Sequence, residues 1–82
     1  MELVEEIGND HIVRTGKSRW VVVTYSARNV QYETPRPEGG FYYCSGGGER
    51  SMLNVARYAH DHGTSYRSLE EARAAVQKAR GL

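Results

Sequence analysis

The chain has a single cysteine, Cys44, so it cannot form an internal disulfide. A disulfide-stabilised secreted domain is thereby excluded, and a reducing compartment fits the composition. Long hydrophobic runs are also missing, since a run such as Trp20 to Val23 falls far short of the roughly 18 to 20 residues that cross a bilayer. The acidic start, Met1 to Glu6, lacks the basic beginning and apolar stretch of a signal peptide. We therefore expect a cytoplasmic protein that has no membrane segment.

Few residues are available for burial, because the chain is only 82 residues long. A chain of this length buries only about 60 to 65% of its unfolded surface, so one core has to serve all of its elements. Hydrophobic residues make up 39% of the sequence and charged residues 26%, which is ordinary for a globular protein and unlike a disordered one. The sequence therefore predicts one domain over residues 1–82, with little room for a deep catalytic cleft.

Charge is nearly balanced overall, at +1, but it is distributed unevenly along the chain. Residues 1–10 contain four acidic residues and no basic one, whereas the rest of the chain contains all 11 basic residues against 6 acidic ones. We expect the acidic start to lie against basic residues of its own domain. Nine of the 11 bases are arginine, whose guanidinium group suits bidentate contacts with carboxylates and phosphates and stacking on aromatic rings.

Strand-forming residues dominate the first half of the chain. A short element, Leu3 to Ile7, ends at a turn signal, and four segments rich in β-branched or aromatic residues follow it, covering residues 11–15, 19–26, 30–34 and 41–44. The segment from Arg19 to Ser26 is apolar on both sides, which predicts a central strand. Alternation in the next segment predicts that Val30 and Tyr32 face the core.

Helical spacing appears in the second half. A helix over about residues 51–62 is predicted by apolar residues that share one face, namely Met52, Val55, Ala56 and Ala59. Extended chain over residues 57–64 is the alternative, because a strand commonly precedes a C-terminal helix in small α+β folds.

The last helix, over about residues 69–80, has the clearest end signals. Ser68 and Glu71 form a capping box, in which each side chain is expected to accept a hydrogen bond from the backbone N–H of the other residue. Gly81 suits the end of the helix. We therefore expect an α+β, two-layer domain in which about four mostly antiparallel strands are covered on one face by two helices.

The segment from Cys44 to Ser51 fits the pattern Cys-x-x-Gly-x-x-Arg-Ser. It resembles the active-site loop of cysteine-dependent protein phosphatases and, more loosely, that of rhodanese-like domains. The resemblance implies a nucleophilic thiolate at Cys44, a phosphate-binding guanidinium at Arg50 and an assisting hydroxyl at Ser51. It covers about residues 41–80, and Tyr43 stands where the family signature has histidine. An enzyme of this kind is one alternative function.

Other ligand-binding patterns are sparse. His60 and His62 are two residues apart and would point about 200° apart on a helix, so they cannot share a metal ion. Neither a metal nor another cofactor is expected. Phe41 and Tyr43 would share one face of a strand, as the base-stacking aromatic residues of an RNA-binding sheet do. Weak nucleic-acid binding is therefore a second alternative, although the net charge lacks the strongly basic footprint of such proteins.

Residue types that dominate protein interfaces are plentiful, with six tyrosines, one tryptophan and nine arginines. Because a two-layer domain of this size has little cleft, we expect a non-enzymatic protein-binding module that makes contacts through its surface. The small size is similar in style to phage and mobile-element proteins, including anti-CRISPR inhibitors, which implies that it occludes a larger partner. The expected contact residues are Tyr32, Arg36, Tyr42, Arg57 and Tyr58.

Overall fold

The computed structural model describes residues 1–81, and over that range the chain forms one antiparallel sheet of five strands and two helices. The strands pair in chain order and the helices follow them; the elements are β1 (Glu2–Ile7), β2 (Asp10–Gly16), β3 (Arg19–Ser26), β4 (Gln31–Pro35), β5 (Phe41–Ser45), α1 (Glu49–Asp61) and α2 (Leu69–Ala79). The predicted α+β class is confirmed. The sheet gains a fifth strand because the short first element pairs with β2 instead of ending as an isolated segment.

The central strand β3 is apolar on both sides, as predicted, and each side meets a different helix. Val21 and Val23 belong to the cluster that packs under α1, whereas Trp20 and Val22 pack against the cluster under α2. Alternate residues of a strand point to opposite faces. The two helices therefore lie on opposite faces of the sheet, which differs from the expectation that both cover one face.

Helix α1 covers the larger part of the core. Its buried face carries Met52, Val55, Ala56 and Ala59, which were the residues that predicted it. The two alanines are fully buried, and their small side chains bring the helix axis close to the sheet. The helix continues to Asp61, so the alternative of an extended chain over residues 57–64 is wrong for its first half.

Helix α2 packs on the other face through a smaller cluster, in which Ile12, Ala72 and Val76 are almost completely buried. Its capping is confirmed in part. The Ser68 hydroxyl accepts a hydrogen bond from the Glu71 N–H at 3.1 Å, as predicted. The Glu71 carboxylate, however, accepts from the N–H of Arg67 at 3.0 Å, one residue before the position that a capping box requires.

The acidic start lies against basic residues of α2, as expected from the charge distribution. The Arg73 guanidinium donates from two nitrogens to the Glu5 carboxylate, at 2.9 and 2.6 Å, and thereby ties α2 to β1. This hydrogen bonding raises the pKa of Arg73. Arg80 stands 3.9 Å from Asp10 and donates to the carbonyl of Ile7. Two bases of the last helix are thus engaged within the domain.

Strands β3 and β4 diverge, and this divergence shapes the α2 face. They pair only where Thr24–Ser26 lies beside residues 31–33. Further along, the edge of β3 is taken by the segment that connects the helices, where Trp20 and Tyr66 exchange two backbone hydrogen bonds of 2.9 and 2.7 Å. The connection therefore runs beside β3 where β4 would otherwise continue, and it leaves a recess between the strands and α2.

Val30 does not face the core, which corrects the prediction made from strand alternation. It closes the turn between β3 and β4 with a positive φ of 52° and is 55% exposed. Its carbonyl accepts a hydrogen bond from the Gly46 N–H. The left-handed conformation is costly for a β-branched residue, so the turn requirement has prevailed over the local side-chain pattern.

We predict that Val30→Gly raises the free energy of unfolding by about 0.5 to 1 kcal/mol, because relief of left-handed strain exceeds the entropic cost of glycine. Urea titration followed by circular dichroism measures this change. Val4→Gly is the matched control, since Val4 is also exposed but lies in a strand, and this change should destabilise. If both substitutions destabilise equally, Val30 is not strained.

Candidate functional site

The loop between β5 and α1 has the order of elements that the phosphatase resemblance implied, and its three candidate side chains have different surroundings. Cys44 packs, partly buried, against the apolar cluster under α1. The Ser51 hydroxyl donates to the Ser45 carbonyl at 3.1 Å, and Arg50 is exposed. Within residues 1–81, no hydrogen bond joins the Cys44 thiol to Arg50 or Ser51. No hydrogen bond therefore links the three side chains of the phosphatase-like alternative in the described residues.

Four of the five predicted contact residues lie on the surface near β5. The Arg36 guanidinium carbon is 5.9 Å from the centre of the Tyr42 ring, and the Tyr58 ring centre is 6.3 Å from that of Tyr42. Arg57 is exposed beside Tyr58 and pairs with Asp61 at 3.9 Å. These contacts arise because Tyr42 points toward the face that α1 covers.

Tyr32 lies elsewhere, in the core, and is only 8% exposed. Its ring packs edge-on against Tyr25 and His11, and its hydroxyl donates to the Gly47 carbonyl at 3.3 Å. Burial is the largest cause of a raised pKa for Tyr32, and the nearby Glu6 carboxylate adds to it. Tyr32 therefore supports the loop after β5 from beneath.

His62 joins the surface cluster although the sequence did not single it out as a contact residue. Its ring centre lies 5.0 Å from that of Tyr42, and its Nδ1 is 2.8 Å from the carbonyl of Tyr58. The available signal was its position four residues after Tyr58, which places the two side chains on one helix face. Arg36, Tyr42, Tyr58 and His62 are called the aromatic cluster below.

Two further aromatic side chains are exposed on the opposite face of β5. Phe41 is 50% exposed and Tyr43 is 59% exposed, because α2 covers β2 and β3 and leaves this part of the sheet open. The two residues share a face, as the strand alternation predicted. Glu33 is the direct neighbour of Tyr43 on β4. The open face therefore carries a carboxylate at a place where a nucleic-acid-binding sheet would carry a lysine or arginine side chain.

The backbone of β5 presents an unpaired edge within residues 1–81. At the two ends of the ladder between β4 and β5, the Gly46 N–H donates to the Val30 carbonyl and the Arg36 N–H donates to the Gly40 carbonyl. These two residue pairs are therefore hydrogen-bonded pairs of the ladder. Bonded and non-bonded pairs alternate in an antiparallel ladder. The N–H and C=O groups of Tyr42 and Cys44 are therefore the ones that face β4. Those of Phe41, Tyr43 and Ser45 point outward.

The two edges of the sheet differ in how they are protected. The β1 edge carries three glutamates, and its pairing with β2 is interrupted by a register shift between Leu3 and Glu5. Charges and bulges of this kind are what natural proteins use to prevent an edge from pairing with another chain. The β5 edge, Phe41–Ser45, has no charge, no proline and a regular register. It is the edge that remains suited to pairing.

Comparison with protein-family models, with curated proteins and with solved structures gives no match. Among residues 1–81, no helix is long and apolar enough to cross a membrane. No group of three His, Cys, Asp or Glu side chains in the same range could hold a metal ion.

The raised pKa of Tyr32 predicts a specific pH dependence. Unfolding releases Tyr32 to the ordinary tyrosine pKa of about 10, so the folded state holds its proton to higher pH than the unfolded state does. The contribution of Tyr32 to the free energy of unfolding is therefore fully present below about pH 10. It is lost as the pH rises above that value. Tyr32→Phe should flatten this alkaline decrease in urea titrations, whereas Tyr43→Phe, at an exposed position, should leave it unchanged. Equal slopes for all three proteins would contradict the assignment.

Proposed function

We propose that this chain is a non-enzymatic protein-binding module that binds an extended segment of its partner along the β5 edge. The observation that carries the proposal is the contrast between the two edges, since β1 is blocked by charge and a register shift while β5 is uncharged and regular. A partner strand beside β5 would accept hydrogen bonds from the outward N–H groups of Phe41, Tyr43 and Ser45 and donate to their outward carbonyls. Main-chain pairing of this kind supplies affinity, and side-chain pockets supply specificity.

Side chains on both faces of β5 support the same mode of binding. A bound strand would place alternate side chains on the two faces of the extended sheet. One row would lie beside the exposed rings of Phe41 and Tyr43. The other row would lie beside the aromatic cluster, where exposed arginine and tyrosine are the residue types that dominate binding energy. We therefore expect a partner segment with apolar or aromatic residues at alternate positions.

The proposed action is occlusion of a larger partner. A domain of 82 residues that extends a partner's exposed strand also covers the surface around that strand. Inhibition by this route needs no catalytic group, and it would be similar in style to that of small anti-CRISPR proteins. A cytoplasmic location fits the single free cysteine, because a reducing compartment keeps a thiol unpaired.

Position-specific photo-crosslinking tests the proposal. A benzophenone amino acid replaces Tyr43 in one preparation and Gln77, on the exposed side of α2, in a second. Position 43 should yield a discrete crosslinked partner in a lysate of the native host, and position 77 should not. Mass spectrometry should place the crosslink within an extended segment of that partner. A crosslink of equal yield from both positions, or one within a helix of the partner, would contradict strand pairing.

The phosphatase-like alternative has its own test. Hydrolysis of p-nitrophenyl phosphate that is lost in Cys44→Ser would favour an enzyme. We expect no Cys44-dependent hydrolysis, because the thiol is partly buried against the cluster under α1 whereas Arg50 is exposed.

A further inference from the structure

The recess beside α2 is a pocket of about 380 Å³. It lies where β3 and β4 diverge, and the segment that joins the helices forms one of its sides. Val22 and Val76 form apolar walls, and Ala75 and Ala79 of α2 line the opening. This volume lies within the range of about 300 to 1,000 Å³ that is typical of small-molecule sites. A pocket of this size is large for a chain this short.

Three threonine hydroxyls in the pocket are placed to accept hydrogen bonds, beside the side chains of Ser65 and Tyr66. Three threonines line it, and each hydroxyl already donates its proton to the protein: Thr24 to Asp10 Oδ1 at 2.6 Å, Thr34 to the Val22 carbonyl at 2.9 Å and Thr64 to the Ala59 carbonyl at 3.0 Å. A hydroxyl has one hydrogen to donate and lone pairs with which to accept. What these three oxygens have left to offer a ligand is therefore acceptor capacity.

Asp10 adds negative charge to the same lining. Its side chain is only 16% exposed, and its Oδ1 accepts from Thr24. The Arg80 guanidinium is 3.9 Å from Oδ2, beyond hydrogen-bond distance, and donates instead to the carbonyl of Ile7 at 2.9 Å. Oδ2 therefore retains room for a donor from the pocket. Partial burial strengthens the attraction between this carboxylate and a bound cation.

We propose that this pocket binds a small organic cation, namely a primary ammonium group on an apolar stem. The ammonium group would donate to the Asp10 carboxylate and to the threonine hydroxyl oxygens, whose own protons are already donated to protein acceptors. The stem would lie against Val22, Val76 and the alanines of α2. A carboxylate or phosphate ligand is disfavoured, because the Asp10 carboxylate would repel it and the three threonine hydroxyls already donate their protons to the protein. This site does not depend on the β5 edge, so either proposal can fail without the other.

The probe is n-hexylammonium, titrated into the ¹⁵N-labelled protein and followed by amide chemical shifts. We expect saturable shifts at Thr24, Ser65 and Ala75, with 1-hexanol at least about fivefold weaker because it lacks the charge. Hexanoate should not saturate these shifts. Equal affinity for hexylammonium and hexanol would overturn the role of Asp10, and the absence of saturable shifts would overturn the site.

Four variants separate charge from shape. Asp10→Asn should weaken hexylammonium binding by about fivefold and leave hexanol unchanged. Arg80→Gln should strengthen hexylammonium binding, because it removes the competing cation. Ala79→Leu fills the opening from an exposed position and should abolish binding of both probes. Ala74→Leu, on the same helix but outside the lining, is its control and should change neither. If Ala79→Leu keeps a native spectrum and still binds, the pocket is not the site.

Discussion

Replacing Tyr43 by lysine is expected to weaken binding of the partner crosslinked at position 43 by at least about tenfold, or about 1.4 kcal/mol. Lysine in an edge strand is one of the devices that prevent an edge from pairing with another chain. The change also removes an aromatic ring that is 59% exposed and available for contact. Because this side chain points away from the core, the domain itself should remain folded. Isothermal titration with the purified partner measures the loss.

Tyr66→Lys is the matched control for this experiment. Tyr66 is also an exposed tyrosine, but it lies in the segment between the helices and bonds to Trp20 through its backbone. Its replacement should change the affinity by less than about twofold, the typical size of an effect outside an interface hot spot. If both lysine variants bind as the natural sequence does, β5 is not the binding edge.

Ile12→Ala is expected to have the largest effect on stability, with a loss of about 2 to 5 kcal/mol. Ile12 is fully buried under α2 in the smaller of the two clusters. The other buried members of that cluster are only Ala72 and Val76, so most of the volume lost with the Ile12 side chain would remain as a cavity. Since small domains have a total stability at or below the low end of about 5 to 15 kcal/mol, part of the population should unfold at room temperature. Urea titration at low temperature measures the remaining stability.

Val4→Ala serves as its control, because Val4 is 42% exposed in β1 and its truncation removes little buried area. The expected cost is within about 0.5 kcal/mol. Hydrogen exchange should show faster opening of α2 than of α1 in Ile12→Ala, because only α2 packs on that cluster. Equal acceleration in both helices would mean that the two faces of the sheet do not behave as separate packing units.

Most secondary structure was predictable because its signals are local. The Ser68 cap, the buried stripe of α1 and the apolar segment of β3 each depend on residues close in sequence. The helix positions on opposite faces were not predicted, although β3 already carried apolar residues on both sides. That pattern indicates that both faces of the sheet are covered. Which helix covers each face depends on the path of the segment between the helices, which pairs with Trp20. The path is a long-range property of the chain.

The candidate site was predictable only in its residue types. Tyr42 and Tyr58 were expected on the surface, and the structure brings them together with Arg36. Tyr32 has the same composition-based signal but lies in the core, as the alternation of its strand predicted. The position of β5 at an edge of the sheet could not be predicted, because it depends on the order of all five strands. Val30 departed from its pattern for a related reason, as the turn before β4 needs a left-handed residue.

Backbone N-methylation of Tyr43, introduced by chemical synthesis, tests strand pairing at β5 most directly. It removes one outward N–H and adds bulk at the edge while the side chain stays the same, and Tyr43→Phe serves as the control for small changes in the ring. If the partner pairs with β5, the methylated protein should fold normally and bind at least about tenfold more weakly, whereas Tyr43→Phe should bind nearly as well as the natural sequence. Undiminished binding by the folded, methylated protein would contradict pairing along β5.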